Sequence, residues 1–427
     1  MVNGAKRDED WKTVVTRVRE HEENMDSNEL FTMALGAGGQ WRVVSSRFEG
    51  EPKRLELELE ARSGLKWACP ECGAQSSAYD SVEKRWRHLN FFQYECELKA
   101  RVPRCNCGEH GVRVVEVPWA RPGSGFTLMF EALAMLLCGQ MPVADAAELL
   151  GEEDTRLWRM LCALVEAAQE RRDWSKVRRV LVDETSARRG HRYVTLFVDA
   201  ESKELLLMCE GKKAGTLHEF AEALRSHGAT PEQIEWVGMD MSGAYAAGVD
   251  EHLPKARKAF DHFHIVALAG QALDEVRREL QREQATLKGS RWAILGNEWT
   301  RTEEQKALRK AICAQYPKLG RALKLKETLQ ASLWARDTQS LKWWCGWAAR
   351  SRLEPFRRLA RTLKKHWEGI MGFFESGITS AAIEAINGKV QLAKRLARGF
   401  RNFVCFRAIA YLKSAHLDLE LPTLIPT

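Results

Sequence analysis

Two aspartates stand directly after apolar runs that are typical of buried strands. Asp183 follows "RRVLV" and Asp240 follows "IEWVGM". A carboxylate at the end of a buried strand is costly unless a cation offsets its charge. Two of them on neighbouring strands would repel each other unless a divalent metal lay between them, and oxygen ligands favour Mg²⁺ or Mn²⁺. Glu184 points to the other face of its strand and is the poorer candidate ligand.

A third carboxylate, Glu384, opens a strongly basic stretch. The residues that follow it, "AINGKVQLAKRLARGFRNFVCFRAIAYLK", include seven Lys or Arg and no acid. Helical spacing puts Glu384 beside an apolar stripe, with Asn387, Gln391 and Arg395 on its own face. We interpret Glu384 as a carboxylate directed at a metal and the cations after it as directed at phosphates, all on one basic helix. The candidates for phosphate contacts are Lys389, Arg395, Arg398 and Arg401.

Around the two aspartates, the sequence predicts three strands, a helix, a strand, a short helix and a further strand. This is the element order of the RNase H fold, in which the first and fourth strands are neighbours, so Asp183 and Asp240 would meet. Two metal ions held there would activate a water or a 3′-hydroxyl and stabilise the leaving oxygen. In "DHFH", after the fifth strand, Asp261 and His264 either flank this site or form a helix cap with a hydrogen-bonded histidine.

Four N- and S-donor residues occur as two half-sites. Cys69 and Cys72 lie in "CPECG", and Cys107 and His110 repeat the same two-residue gap in "CNCGEH". This set predicts one closed, structural, tetrahedral Zn²⁺ site. Cys105 is an alternative ligand in the second half-site. Several other cysteines are interpreted as free and buried: Cys96, Cys138, Cys162 and Cys209.

The segment "MPVADAAELLGEEDTRLWRML" has the spacing of a helix-turn-helix. Small residues allow the helices to approach, a glycine occupies the turn, and a leucine returns to the core; these are Ala146, Ala147, Gly151 and Leu157. Arg156 and Arg159 would then project from the second helix toward a DNA major groove. A helical hairpin within a protein core would show the same pattern.

Composition places the chain among globular proteins, with 427 residues, 45% hydrophobic and 29% charged. The net charge of +7 is unevenly distributed, because residues 341–413 carry fifteen Lys or Arg against four Glu. This excess indicates either a solvated face or a nucleic-acid partner. No apolar run reaches the roughly 20 residues of a membrane span, and the first residues lack the apolar core of a signal peptide. We therefore expect a cytoplasmic protein without a membrane partner, whose eleven cysteines form no disulfide framework.

Residues 265 to about 370 are predicted to be entirely helical, charged and rich in tryptophan. The tryptophans considered are Trp334, Trp343, Trp344 and Trp347. They either pack a helical core or hold a flipped or unpaired base at a DNA end.

Several consecutive motifs resemble the bacterial insertion-sequence transposases of the ISL-three family, over roughly residues 29–420. They include "CPECG", "VDETSARRGHRYVTLFVD", "GMDMSGAY", "DHFHI" and "IEAINGKVQLAKRLARGFRNFVCFR". The resemblance implies that Asp183, Asp240 and Glu384 are the catalytic triad of a DDE transposase. It also implies a zinc-binding N-terminal domain, a helix-turn-helix and an RNase H-like domain with a helical insertion.

The expected fold is therefore a multidomain α+β protein with a zinc-binding β module, a helix-turn-helix domain and an RNase H-like α/β catalytic domain that carries an all-α insertion. The expected segments are a polar extension (1–28), the zinc-binding domain (29–120), the helix-turn-helix domain (121–175), the first part of the catalytic core (176–264), the insertion (265–372) and the C-terminal helices of the core (373–420).

The expected function is cleavage at terminal inverted repeats by metal-dependent hydrolysis, followed by joining of the 3′-hydroxyl ends to target DNA. The expected partners are double-stranded DNA and, in the DNA complex, a second copy of the chain. The alternatives are an RNase H-like nuclease without strand transfer, and a non-enzymatic regulator that binds DNA through zinc and helix-turn-helix domains.

Overall fold

The computed structural model describes residues 26–37, 39–188, 192–211, 215–296 and 301–424. All but the last three residues of the predicted polar extension lie outside these ranges. The chain divides into two compact units, Met1–Leu161 with Asp418–Thr427, and Cys162–Leu417. In the described residues, no helix is long and apolar enough to cross a membrane.

The first unit is built on a six-stranded sheet in the order β1-β2-β5-β4-β3, with β6 paired to β5. The strands are β1 (Trp41–Glu49), β2 (Arg54–Ala61), β3 (Lys66–Ala68), β4 (Gln75–Phe91), β5 (Tyr94–Cys107) and β6 (Gly111–Val114), preceded by helix α1 (Ser27–Ala34). Strands β1 and β2 form an antiparallel hairpin, because polar and apolar residues alternate along both. The alternating leucines of β2 are buried, and four tryptophans complete the core: Trp41, Trp67, Trp86 and Trp119.

Strand β4 was not predicted from the sequence. It is 17 residues long, and most of its side chains are exposed and polar, so the apolar alternation that marks a half-buried strand is weak. It forms because it pairs antiparallel with β5 along most of its length. On its outer face, Arg85 lies 2.7 Å from Glu97 and 3.1 Å from Glu56, which offsets the repulsion between those two acids.

Three helices follow: α2 (Leu128–Gln140), α3 (Val143–Leu150) and α4 (Asp154–Glu170). Thr127 caps α2, because its hydroxyl accepts a hydrogen bond from the backbone N–H of Phe130. Gly151 ends α3 with φ of 68°, the left-handed conformation that glycine adopts without a steric penalty. Ala146, Ala147 and Leu157 are buried, as the predicted helix-turn-helix required.

The second unit contains a five-stranded sheet in the order β11-β10-β7-β8-β9. Its strands are β7 (Arg179–Arg188), β8 (Arg192–Asp199), β9 (Leu205–Glu210), β10 (Trp236–Met239) and β11 (Arg257–Phe260). Helix α5 (Gly215–Ser226) and a short 3-10 turn (Pro231–Gln233) precede β10, and α6 (Gly243–His252) connects β10 to β11. The first and fourth strands, β7 and β10, are parallel neighbours, as predicted.

Asp183 lies within a strand and not at its end, which corrects the sequence interpretation. Strand β7 continues to Arg188 because it forms an antiparallel hairpin with β8, in which Asp183 opposes Leu196. The parallel pairing with β10 stops earlier, at Leu181 opposite Gly238. Asp183 therefore lies just beyond its parallel neighbour, on the edge where β10 ends.

Among the described residues of the region predicted to be helical, seven helices occur. They are α7 (His262–Glu283), α8 (Arg291–Leu295), α9 (Glu303–Gln315), α10 (Pro317–Trp334), α11 (Thr338–Ala349), α12 (Glu354–Lys365) and α13 (Trp367–Ser376), with a 3-10 turn at Ala285–Leu287. Trp344 is fully buried and its indole N–H donates to the Leu325 carbonyl at 2.7 Å. Trp347 packs against the same core, but Trp334 and Trp343 are 51% and 59% exposed, so the core interpretation is wrong for these two.

The basic stretch after Glu384 forms two helices and not the single helix that was expected. Helix α14 (Ala381–Leu396) ends in a turn at Arg398 and Gly399, which have φ of 53° and 103°. Helix α15 (Phe403–Ser414) then begins at Asn402, whose side chain accepts from the backbone N–H of Cys405. Arg398 therefore lies in the turn and not on the helix that carries Glu384.

Candidate functional site

The three predicted catalytic carboxylates line one cleft of the second unit. Asp183 comes from β7, Asp240 follows β10, and Glu384 lies in the first turn of α14. Gly238 on β10 makes this arrangement possible. A Cβ at that position would lie 2.6 Å from a Leu181 methyl group and 2.8 Å from one of Ile378, so a side chain there would displace the segment that leads into α14.

Asp183 is the most constrained of the three carboxylates. Burial raises its pKa to about 6, and the negative charge of Asp240 adds to the rise. The backbone N–H of Glu184 donates to Asp183 Oδ1 at 2.7 Å, and Asn387 Nδ2 donates to Oδ2 at 2.5 Å. Both donors favour the ionised carboxylate, and Asn387 also fixes its orientation.

Asp240 is joined to the two residues that were predicted to flank the site. His264 Nδ1 lies 2.7 Å from Asp240 Oδ1 and 3.0 Å from Asp261 Oδ2. Asp261 also caps α7, because its side chain accepts a hydrogen bond from the backbone N–H of Phe263. The two alternatives considered for this segment, a helix cap and a position beside the site, are therefore both realised. Hydrogen bonds to Asp240 and then to Asp261 raise the pKa of His264 to about 10. The resulting imidazolium offsets the charge of both carboxylates.

Glu384 is exposed, and the hydroxyl of Ser380 donates to its Oε1 at 2.7 Å. Asp240, Asp261 and His264 form a group in the cleft whose ligand atoms lie within 4.8 Å of one another. Glu384 lines the same cleft outside that group.

Helix α14 is fastened along β7 by its polar face. One turn after Asn387, Gln391 Nε2 donates to Thr185 Oγ1 at 2.7 Å and to the Ser186 carbonyl at 2.9 Å. Lys394 donates to the same carbonyl. The apolar stripe predicted from the sequence is Ile383, Ile386, Val390, Ala393 and Ala397. The first four are buried, whereas Ala397 is half-buried at the C-cap of the helix.

Two contributors to the cleft were missed as functional residues in the sequence. Asn387 was placed on the face of Glu384 from helical spacing alone, and its contact with Asp183 spans 204 residues of sequence. Gly238 carries no signal in a single sequence beyond its position in a strand, where glycine often marks close approach of another segment.

The predicted phosphate-binding cations lie in two places. Lys389 and Arg395 are exposed on α14, whereas Arg398 and Arg401 are exposed in the turn before α15.

In the first unit, the two arginines predicted to read DNA differ in their surroundings. Arg156 Nη1 lies 2.5 Å from Glu152 Oε2, and its guanidinium carbon is 4.5 Å from the ring centroid of Phe126. Arg159 is exposed. Arg156 therefore contributes to packing around the turn, while Arg159 is open to a ligand.

The predicted zinc ligands converge at the ends of two hairpins. Cys69 and Cys72 lie in the turn between β3 and β4, and Cys107 and His110 lie at the turn between β5 and β6. The ligand atoms of all four are within 4.8 Å of one another. Hydrogen bonds from the backbone of His110 and Glu109 contribute most to lowering the pKa of Cys107 to about 6.

The spacing of these atoms fits a tetrahedral zinc site. Zinc–sulfur bonds of ~2.3 Å place neighbouring ligand atoms roughly 3.7 Å apart. The observed separations are 3.6 Å for Cys72–Cys107, 3.7 Å for Cys107–His110 and 4.0 Å for Cys69–His110. Cys105, the alternative ligand, is buried with its sulfur 4.0 Å from the Ala68 carbonyl, outside the cluster.

Family models match three consecutive parts of the chain. Residues 65–110 match the zinc-finger of transposase IS204/IS1001/IS1096/IS1165, and residues 115–165 match the helix-turn-helix domain of transposase family ISL3. Residues 180–410 match the ISL3-type DDE model described as "Transposase".

Curated relatives are similar over nearly the whole chain. The transposase for insertion sequence element IS1557 of Mycobacterium tuberculosis is 32% identical over 438 residues, covering 92% of this chain and 97% of that protein. The transposase for insertion sequence element IS1001 of Bordetella parapertussis is 28% identical and covers 86% of this chain and 94% of its own length. The chain therefore belongs to the ISL3 family of insertion-sequence transposases.

Proposed function

We propose that this transposase binds the terminal inverted repeats of its own element, cleaves the ends by metal-dependent hydrolysis and joins the 3′-hydroxyl ends to target DNA. The observation that carries the proposal is the convergence of Asp183, Asp240 and Glu384 on one cleft from β7, β10 and α14. The adjacency of β7 and β10 supports an RNase H-like catalytic fold.

The donor set of the cleft suits hard divalent cations. Asp183, Asp240 and Glu384 would hold two Mg²⁺ or Mn²⁺ ions, because carboxylate oxygens are the preferred ligands of these metals. The buried Oδ1 of Asn387, beside Asp183, has no hydrogen-bond partner in the described structure and is available to a hydrated cation. When bound, such ions activate a water or a 3′-hydroxyl and stabilise the leaving oxygen, so one site serves both hydrolysis and joining.

The protein's own residues supply position and charge. Asn387 orients the Asp183 carboxylate, and His264 joins Asp240 to Asp261. The exposed cations Lys389 and Arg395 on α14, and Arg398 and Arg401 in the turn that follows it, hold DNA phosphates in this proposal.

Specific recognition belongs to the first unit in this proposal. The zinc cluster fixes the ends of the hairpins that carry its ligands, and the helix-turn-helix presents Arg159 to the terminal repeat, with Arg156 beside it. We further propose that two copies of the chain act together in the DNA complex, because an element has two ends to cut and join.

The test uses duplex DNA carrying the inverted repeats that flank the gene. Asp183→Asn, Asp240→Asn and Glu384→Gln should each abolish cleavage and leave end binding intact or slightly tighter, because a negative charge near phosphates is removed. Glu375→Gln is the matched control, since this exposed carboxylate pairs with Arg257 on the surface. A triad variant that cleaves at a tenth of the normal rate would remove that residue from the proposed site.

The same substrates separate the rival functions. A nuclease without strand transfer would cut the ends but fail to join pre-cut ends to a target plasmid. A regulator would bind the ends and perform neither reaction in the presence of Mg²⁺ or Mn²⁺.

A further inference from the structure

Another cleft lies in the helical insertion, between α9, α10 and α11. It has a volume of about 820 Å³. The α9 residues that line it recur at intervals of three and four, so they share one face of that helix; they are Lys306, Arg309, Lys310, Cys313 and Ala314. Helices α9 and α10 approach closely at Gly320 of α10, where an added Cβ would lie 3.1 Å from the carbonyl oxygen of Cys313 in α9.

The walls of this cleft are strongly basic. They carry five cations, Lys306, Arg309, Lys310, Arg321 and Lys324, and one acid, Glu327. Glu327 already forms an ion pair with Arg309 across the two helices. Lys310, Arg321 and Lys324 are exposed and form no ion pair within the described part of the chain. Arg321 Nη1 donates to the Ser351 carbonyl at 3.4 Å, which leaves its charge unneutralised, so all three charges are available to an anionic ligand.

An aromatic surface adjoins these cations. Trp347 lines the cleft, and its ring centroid lies 5.2 Å from that of Trp343, which is 59% exposed. Exposure of a large flat ring beside unpaired cations is what a single-stranded nucleic acid requires, because cations follow its phosphates while aromatic rings stack on its unpaired bases. In a duplex the base faces are stacked on one another inside the helix, and an acidic peptide has no bases. Neither ligand would therefore use the exposed aromatic ring in this way.

We propose that this cleft binds a single-stranded segment of DNA. Lys310, Arg321 and Lys324 contact its phosphates, and Trp343 with Trp347 stacks an unpaired base. The inference rests on the proposed function for the origin of the single strand, since cutting and joining separate strands at the element end. It adds a DNA site remote in sequence from the carboxylates and from the helix-turn-helix.

The experiment measures binding of the full-length protein to fluorescent oligothymidylate of about ten nucleotides and to a random duplex of equal length. Lys310→Glu with Lys324→Glu, and separately Trp343→Ala, should each weaken single-strand binding about tenfold or more. The lysine double variant should also flatten the dependence of log affinity on log salt by ~1.4, for two lost phosphate contacts.

Two control variants make the same kinds of change outside the cleft: one replaces two exposed lysines by glutamate, and the other removes an exposed tryptophan ring. Lys203→Glu with Lys255→Glu alters two exposed lysines of the second unit that lie outside the cleft and outside residues 341–413, and Trp292→Ala removes a ring that is 68% exposed. Both should bind the single strand within about twofold of the wild type. Equal losses in cleft and control variants, or equal losses on single strand and duplex, would overturn the proposal.

Failure of this inference is distinguishable from failure of the proposed function, because oligonucleotide binding requires no cleavage. Unchanged single-strand binding in the cleft variants, with normal cutting of element ends, would overturn the cleft alone. Cleft-dependent binding together with triad variants that still cut would overturn the proposed catalytic site alone.

Discussion

At the scale of single residues, the environment of Asp183 shows how the cleft holds charge. The residue is half-buried next to another carboxylate, so its ionised form is disfavoured, and Asn387 opposes this with a hydrogen bond to Oδ2. A group that orients a metal ligand affects metal affinity without touching the substrate. Asn387 is therefore a positioning residue for the proposed chemistry.

Asn387→Ala should lower the cleavage rate by about 10- to 100-fold and raise the Mg²⁺ concentration needed for half-maximal cleavage, with end binding unchanged. The measurement is a cleavage titration against Mg²⁺. Gln391→Ala is the control on the same helix face, because Gln391 contacts Thr185 and Ser186 and no carboxylate. An identical Mg²⁺ dependence in the Asn387 variant and the wild type would refute the positioning role.

At the scale of elements, strand β4 secures the helices that follow it in the first unit. Arg87 lies 3.6 Å from Glu152 at the α3–α4 turn, and both side chains are at most 10% exposed. The neighbouring His88 Nδ1 lies 2.8 Å from the hydroxyl of Thr127, which caps α2. A strand that was not predicted from sequence thus positions the proposed DNA-reading helices.

The burial of His88 makes the stability of the first unit depend on pH. Burial lowers the pKa of His88 from 6.5 to about 4, and the charge of Arg87 adds to the effect. Above pH 6.5 the imidazole is neutral in both the folded and unfolded chains, so its contribution is complete. As pH falls toward 4, the unfolded chain gains a proton that the folded chain excludes, and the free energy of unfolding decreases.

His88→Gln should therefore lose less stability than the wild type between pH 7 and pH 5, measured by thermal unfolding. The difference between the two proteins is the informative quantity, since acid also protonates the zinc-binding thiolates of both. Parallel pH dependences would show that His88 is not the responsible group.

The hairpin ends that meet at the cysteine cluster should depend on zinc for their stability. Cys72→Ser should remove the bound zinc measured by elemental analysis, unfold the first unit and weaken end binding, because metal binding to such a site supplies folding free energy. Cys105→Ser should retain about one zinc per chain, since Cys105 lies outside the cluster. Full zinc content in the Cys72 variant would exclude this site.

At the scale of the whole molecule, the uneven charge of the chain separates two kinds of DNA contact. The basic excess of residues 341–413 is carried largely by exposed side chains in the second unit, while Arg156 and Arg159, the predicted DNA-reading residues, lie in the first. Phosphates carry no sequence information, whereas base edges do. Nonspecific and specific affinity should therefore respond to substitutions in different units.

Replacing Arg395 and Arg398 by Ala should flatten the slope of log affinity against log salt by about one to two, equally for end DNA and unrelated duplex. Arg159→Ala should instead weaken end DNA more than unrelated DNA, because a base contact is lost. Binding titrations at several salt concentrations measure both effects. An unchanged slope in the double variant would mean that these arginines do not contact phosphates.

The sequence by itself determined the features that depend on local periodicity and spacing. Three features could be predicted in this way. The two Cys/His half-sites show a two-residue gap, and hydrophobic periodicity marks both the strands and helices around Asp183 and Asp240 and the buried face of α14. Each of these signals spans only a few consecutive residues. The same local reasoning failed for β4, whose stability comes from its neighbour β5, and for the turn at Arg398 and Gly399 that divides the basic stretch.

Only the tertiary structure decided which polar groups meet. Asn387 reaches Asp183 across 204 residues of sequence, and His264 links Asp240 to Asp261 from the start of a different helix. It also divided the tryptophans of the insertion into buried and exposed members. These outcomes depend on the packing of whole elements against one another, and contacts between residues distant in sequence leave no periodic signal in a single chain.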